Sequence, residues 1–301
     1  MNARNEDRAR PRVHVTGPVP AVVSEALAAD FDLADAPEGV DGILSLITTQ
    51  VDAAYLEAAG PRLAIVANYG VGVDNLDLYA ARARGVQVAN TPDVLTAATA
   101  ELAIGLTLSL LRRVVEGDRL LRRGDGWTFS LDFMLGEGLG GRRFCVVGPG
   151  RIGRAAARLA EAFGAEPFFV GRDDDLHGAL GEADVVSLHC PLTAETRHLI
   201  DARAFAAMQP TAVLVNTARG PIVDEDALVE ALTSRRIAGA ALDVFEREPD
   251  VHEALLRMEN VVLTPHIGSA TRSTREAMGL LAVAALRDVL LFGRRPSNLV
   301  G

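Results

Sequence analysis

Cysteine is close to absent from this chain, with Cys145 and Cys190 the only two in 301 residues. Each lies in an apolar, strand-like run (FCVVG and VVSLHC), so both read as buried thiols and neither a disulfide framework nor a zinc site is expected. Long hydrophobic runs are missing too: the stretch Leu102–Leu111 is too short to span a bilayer and stops at Arg112 and Arg113. The opening residues, MNARNEDRARPR, lack the apolar segment of a secretory signal and read as a loose tail. A cytoplasmic protein is expected on these grounds. Positive charge is in deficit, with 30 basic against 40 acidic side chains and a formal net charge of -10. That excludes generic attraction to nucleic acid or to an anionic membrane surface. An anionic substrate would need positive charge gathered locally.

What is present is an ordinary globular composition, 49% hydrophobic and 23% charged, over a length with room for two domains. From Arg12 onward, VHVTG, GILSLI, LAIVAN and VQVAN read as strands, and AVVSEALAAD, DAAYLEAAG and NLDLYAARARG as the helices between them. Such alternation argues for βαβ units around a parallel sheet, the α/β class. The pattern breaks at Thr91-Pro92. One long helix is predicted from about Ala97 to Val115, then an irregular stretch from Gly117 to Gly141 that carries the only tryptophan, Trp127. A second series follows, with RRFCVVG, EPFFV, ADVVSLHC, TAVLVNTA, AGAALDV and NVVLTP as short β-branched strands suited to a sheet covered on both faces. A helix over about Thr271 to Leu291 closes the chain. Two sequential domains, or a first domain split and completed by this last helix, fit the periodicity equally.

The segment Gly148-Pro149-Gly150-Arg151-Ile152-Gly153 fits G-x-G-x-x-G between a strand and an amphipathic helix whose buried side is read as Ile152, Ala155, Ala156, Leu159 and Phe163. In that context the first glycine permits a tight turn, the second lets a pyrophosphate approach the backbone, and the third packs the helix on the sheet. The next strand, EPFFV, ends in Gly171-Arg172, with no carboxylate to take the ribose hydroxyls of NAD. Arg172 suits the 2′-phosphate of NADP instead, so NADP(H) is favoured over NAD(H). Asp173, Asp174 and Asp175 follow at once and would repel a phosphate if turned inward.

Three ionisable groups stand just beyond strands of this second series: Arg219 after LVNTA, Glu248 after AALDVF, and His266 after VVLTP. Reduction of a keto acid needs such a set. A guanidinium pairs with the carboxylate in a planar, bidentate way, an imidazolium gives a proton to the forming alkoxide, and a carboxylate fixes and charges the imidazole. Of the other histidines only His189, in SLHCPLT, competes by position, and a doubly wound order puts it on the adenosine side. Taken singly, Arg219 could cap a turn and His266 could be a hydrogen-bonded structural residue.

These motifs, in this order, make the sequence resemble the D-isomer-specific 2-hydroxyacid dehydrogenases from about Gly42 to Thr271. NYGVGVDNLDL, NTPDVLTAATAE, GPGRIG, HCPLTAETRHLID, NTARGPIVDEDAL, AALDVFEREP and TPHIGSAT carry the likeness. The resemblance implies two Rossmann-like doubly wound parallel-sheet domains. A substrate domain (1–97 plus 272–301) would be split around an inserted cofactor domain (98–271). It implies catalytic roles for Arg219, Glu248 and His266, with Val71 and Gly72 joining Arg219 on the substrate carboxylate. It adds Pro191, Thr217, Ala218 and Asp243 to Gly148, Gly150, Arg151, Ile152, Gly153 and Arg172 as cofactor contacts, with Asp243 on the nicotinamide carboxamide. It also implies a homodimer, with the Gly117–Gly141 region as an arm. Within the family, DVLTAATAE, FMLGEGLGG and Gly171-Arg172 look most like glyoxylate/hydroxypyruvate reductases, and Val71 stands where phosphite-oxidising relatives carry lysine. No metal is implied. The competing readings are a bulkier D-2-hydroxy acid substrate with NAD, or a dinucleotide-sensing binding protein of the same fold.

Overall fold

The computed structural model describes residues 10–124 and 126–300 and divides into two compact units, Met1–Leu95 with Ala270–Gly301, and Thr96–Ser269. In chain order the first unit contains β1 (Arg12–Val15), α1 (Ala21–Asp30), β2 (Asp32–Ala34), β3 (Gly42–Leu46), α2 (Ala53–Ala59), β4 (Ile65–Tyr69), α3 (Leu78–Ala83) and β5 (Gln87–Ala89). The second begins with α4 (Thr96–Leu111), α5 (Val114–Arg123), β6 (Arg143–Val147), α6 (Arg151–Ala162), β7 (Glu166–Val170), α7 (Leu176–Glu182) and β8 (Val185–Leu188). It continues with α8 (Ala202–Ala207), β9 (Val213–Asn216), α9 (Glu225–Thr233), β10 (Gly239–Leu242), α10 (Glu253–Arg257) and β11 (Val261–Leu263). The chain then returns to the first unit with α11 (Arg272–Leu290).

Both sheets are wholly parallel and doubly wound, as the alternation of buried strands and helices predicts. The first is ordered β2-β1-β3-β4-β5 and the second β11-β10-β9-β8-β6-β7. In the second sheet β8, β9 and β10 are buried along their whole length, because helices cover both faces. In the first, α11 lies close to β4 and α1 at Gly279. A Cβ there would fall 2.3 Å from Val23 Cγ2 and 2.7 Å from the Tyr69 hydroxyl. Tyr69 is itself buried and donates to the Arg275 carbonyl oxygen, which makes it a core residue of this unit.

Three details differ from the sequence reading. The strand β2 is extra, a three-residue edge too short and too exposed to show a pattern. The single helix predicted over Ala97–Val115 is two helices, separated at Arg113, whose φ is 53°. The Arg112-Arg113 pair ends the apolar face, Arg113 Nε turns to Glu116 at 2.7 Å, and α5 runs on into the stretch read as irregular. Phe163 is half exposed because α6 stops at Ala162. The helix is buried instead along its small residues, Gly153, Ala155, Ala156, Ala157 and Ala160, through which it lies against α4.

Cys145 is buried and Cys190 partly so, both free, and burial pushes their thiols up to about 12 and about 11. Among the described residues no helix is long and apolar enough to cross a membrane, and no cluster of His, Cys, Asp and Glu is placed to hold a metal ion.

Candidate active site

The second sheet reverses its winding direction between β6 and β8, and the glycine turn leaves β6 at that point. Its three glycines have different physical reasons. A Cβ on Gly148 (φ 96°) would lie 2.5 Å from the Cys190 amide nitrogen, and one on Gly153 would lie 2.4 Å from the Gly148 oxygen. The chain's own packing therefore requires both. A Cβ on Gly150 would meet nothing within 4 Å. Gly150 is the N-cap of α6, so the open space before it lies at the positive end of the helix, beside the first-turn residues Arg151 and Ile152.

Two buried polar atoms without a partner lie just past the ends of the neighbouring strands, His189 Nδ1 after β8 and Thr217 Oγ1 after β9. Buried polar atoms are nearly always satisfied, so this pair fits a site completed by a polar ligand. The open cradle at Gly150 and these two atoms together fit a dinucleotide. Burial pulls the His189 ring down to about 4, so it is neutral near pH 7. Its Nε2 lies 2.9 Å from Ser187 Oγ. His189 is thereby removed as a proton donor. At the end of β7, Arg172 is exposed. Of the three acids after it, Asp174 accepts from the Gly171 amide at 2.7 Å, and Asp175 caps α7 through the Gly178 amide at 3.1 Å. The neighbouring loop holds Pro191, whose carbonyl accepts from the Thr196 hydroxyl at 2.7 Å.

Arg219, Glu248 and His266 follow β9, β10 and β11 in the same unit. Buried Asn216 shapes the first loop from both ends, accepting from the Ala218 amide at 3.0 Å and donating to the Arg219 oxygen at 2.9 Å. The Arg219 guanidinium also donates to the Ala218 oxygen at 2.7 Å. His266 Nδ1 lies 2.7 Å from Glu248 Oε2, and the other carboxylate oxygen accepts from the Phe245 amide at 3.0 Å. Burial would lift the Glu248 carboxyl. The His266 hydrogen bond and charge, the Phe245 amide and the Arg219 guanidinium outweigh it and hold the group below its ordinary value.

The backbone of His266 sits in the left-handed region, at φ 51°. Its amide donates to the Asp243 oxygen at 2.8 Å. The Asp243 carboxylate accepts from the Thr264 hydroxyl at 2.6 Å, the Ile267 amide at 2.8 Å and the Gly268 amide at 2.7 Å. Burial raises this carboxyl, against those three donors and the His266 charge. Asp243 thus grips the loop that carries His266, an arrangement the sequence reading did not foresee. Nor did it single out Asn216. The only signal for either is a polar residue at the inner end of an otherwise apolar strand.

In the first unit, the carbonyl of Val71 accepts from Asn90 Nδ2 at 2.8 Å and that of Gly72 from Asn68 Nδ2 at 2.7 Å. In a trans peptide the N–H points opposite its C=O, so the amides of residues 72 and 73 are turned away from these asparagines. This loop therefore presents backbone donors. Around residues 114–135 of the second unit, Leu121, Trp127, Phe129, Leu131 and Leu135 are all exposed, and Trp127 stacks on Phe133 with ring centroids 6.2 Å apart.

Residues 104–268 match the family profile described as D-isomer specific 2-hydroxyacid dehydrogenase, NAD binding domain. A glyoxylate reductase of Thermococcus litoralis is 45% identical over 282 residues, covering 87% of this chain and 83% of that protein. A hydroxyphenylpyruvate reductase of Plectranthus scutellarioides is 44% identical over 267 residues, covering 85% and 84%. The crystal structure of an NADPH-dependent glyoxylate/hydroxypyruvate reductase from Sinorhizobium meliloti, in complex with NADP and malonate, superposes with a TM-score of 0.88. It is 38% identical and covers 97% of each chain.

Proposed function

The chain belongs to the D-isomer specific 2-hydroxyacid dehydrogenase family, and from that premise we propose that it reduces glyoxylate to the achiral 2-hydroxy acid, or hydroxypyruvate to the D-2-hydroxy acid, with NADPH preferred to NADH. It is a nicotinamide-dependent dehydrogenase by family. The observation that carries the catalytic reading is the 2.7 Å contact of His266 Nδ1 with Glu248, which leaves Nε2 as the nitrogen facing a substrate. Protonated at Nε2, His266 gives its proton to the carbonyl oxygen as charge develops there. Glu248 fixes the ring's orientation through its contact with Nδ1. Arg219 pairs with the substrate carboxylate. The chemistry a nicotinamide would supply, when held there, is the hydride for the substrate's C2.

For the cofactor, the turn at Gly148, Gly150 and Gly153, with Arg151 and Ile152 at the start of the helix, would hold the pyrophosphate. Pro191, Thr217, Ala218 and Asp243 serve the remainder of the dinucleotide. Arg172 takes the 2′-phosphate. Asp174 and Asp175, folded back on their own loop, support that choice, as does the NADP complex of the Sinorhizobium meliloti relative. Arg172→Ala is expected to raise the KM for NADPH by roughly ten- to a hundredfold, the worth of a charged hydrogen bond, and to leave that for NADH almost unchanged. Parallel titrations of both cofactors check this, and equal effects on the two would remove Arg172 from the reading.

Glu248→Gln leaves the ring an oxygen acceptor of the same length but removes the carboxylate's charge. kcat for 2-keto acid reduction is expected to fall by roughly ten- to a hundredfold, the worth of a charged hydrogen bond, with the NADPH dissociation constant almost unchanged. Steady-state rates with a cofactor titration read the split, and an unchanged kcat would take Glu248 out of proton transfer.

The exposed apolar side chains of residues 114–135 support a homodimer built on this arm. The likeness to the hydroxyphenylpyruvate reductase favours a second reading, in which the 2-keto acid is bulkier. The deciding experiment is oxidation of NADPH and NADH, followed by absorbance, with glyoxylate, hydroxypyruvate, pyruvate and an aryl pyruvate. Fastest turnover of the first two with NADPH supports the proposal, and preference for the aryl pyruvate supports the alternative. Cofactor binding without turnover would point instead to a dinucleotide sensor.

A further inference from the structure

Arg219 and Glu248 stand on two different loops, and what fixes one loop against the other is a pair of carboxylates that neither reading of the chemistry uses. Arg219 opens the segment that runs through Gly220–Ile222 to the first residue of α9, Glu225. Glu248 closes the loop that begins at Phe245. Glu225, 7% exposed, accepts from the Glu246 amide through Oε1 at 2.8 Å. Glu246 answers with Oε2, which lies 3.4 Å from the Glu225 amide at the start of the helix. Each carboxylate thus holds the other residue's backbone, so the two loops are cross-tied at one point.

The tie is anchored on a third segment. Glu246 Oε1 lies 2.8 Å from His198 Nε2, and Arg197 approaches the same oxygen at 3.6 Å. The His198 amide donates to the Pro221 oxygen at 2.8 Å, and the Ile200 amide to the Ile222 oxygen at 3.0 Å. Burial raises the Glu225 carboxyl and the Glu246 charge adds to this, while the Glu246 amide, His252 and Arg247 act against both. A carboxylate buried this far and facing a second one is costly in isolation. Here the donors are the two loops' own amides, at Glu246 and Glu225, and the side chains of His198 and Arg197.

We infer that Glu225 and Glu246 are positioning residues that hold Arg219 and Glu248 at their working separation. This rests on the catalytic reading above. Both carboxylates are engaged by the loops' own amides and act through the two loops, where a displacement of about 1 Å is enough to cost on the order of a hundredfold in rate.

The test compares Glu225→Ala with Glu225→Gln, which restores an acceptor of the same length without the charge. Glu225→Ala is expected to lower kcat for glyoxylate at least tenfold, with the NADPH dissociation constant within about twofold of wild type, and Glu225→Gln to recover most of the rate. In parallel, the 15N shift of His266 Nδ1, which reports its bond to Glu248, should move in the alanine variant and return in the glutamine one. Should Glu225→Ala fail to fold, Glu225→Asp takes its place, because a shortened side chain withdraws the same acceptor. A kcat within twofold of wild type, or losses in kcat and cofactor affinity that are equal and not rescued by glutamine, would overturn the inference. Wild-type protein that turns over no 2-keto acid would count against the proposed function alone. The nitrogen shift then decides this inference by itself, with an unmoved signal refuting it.

Discussion

Alanine in place of His266 is expected to lower kcat for 2-keto acid reduction by about 10²- to 10⁴-fold, the usual contribution of a general acid, with NADPH affinity changed by less than about twofold. The split follows from how the loop is built. The ring is held by Glu248, whereas the main chain is held independently by the His266 amide on the Asp243 oxygen and by the Asp243 carboxylate on residues 264, 267 and 268. Those four hydrogen bonds survive removal of the imidazole. Alanine tolerates the left-handed backbone at φ 51° less well than histidine, a cost the same bonds oppose. Steady-state rates with a fluorescence titration of the cofactor separate the two effects. Equal losses in rate and in affinity would mean that the loop, and not the proton, had been lost.

The second large effect is expected at Gly220, where the glycine is needed for space. A Cβ at this position would lie 1.9 Å from both the carbonyl carbon and the oxygen of Phe245, and 2.5 Å from the Glu246 nitrogen. These are backbone atoms of the loop that leads to Glu248, and no side-chain rotation relieves the overlap. Gly220→Ala must therefore push the two loops apart. A stability loss of roughly 3 kcal/mol or more is expected, at the upper end for overpacking because main chain is involved. In protein that still folds, kcat should fall by about a hundredfold, since Arg219 precedes the glycine and Glu248 lies at the far end of the displaced loop. Denaturant midpoints and rates on the same preparation read both quantities. A variant with wild-type stability and rate would show that the two loops separate freely, against the close packing described here.

The sequence carries most of the architecture because parallel strands covered on both faces must be short, apolar and rich in β-branched residues, as VVSL, VLVN and GAAL are. It is silent where the cause is not local. The edge strand Asp32–Ala34 has too few residues for a period, and the break at Arg113 depends on where the apolar face of α4 ends in three dimensions. At the site, Arg219, Glu248 and His266 are legible because ionisable groups just beyond apolar strands are conspicuous. The 2.7 Å that joins two of them is not legible. The Val71–Gly72 loop offers only backbone groups, which have no residue type to betray them, so only the family resemblance brings it forward. The hydrogen bonds of Asn216, Asp243, Glu225 and Glu246 close circuits between segments roughly twenty residues apart or hidden in one turn, and no periodicity records such pairings.

The interruption of the first unit by the second has a consequence during synthesis on the ribosome. Its five strands are complete at Ala89, but α11, which lies against β4 through Gly279, begins only at Arg272. At roughly 5–20 residues per second, the apolar face of that sheet waits some tens of seconds for its cover. The second unit is continuous in sequence and emerges whole within that interval. The inserted unit is thus the one able to finish folding first, and the nascent first sheet is the part most in need of chaperone protection.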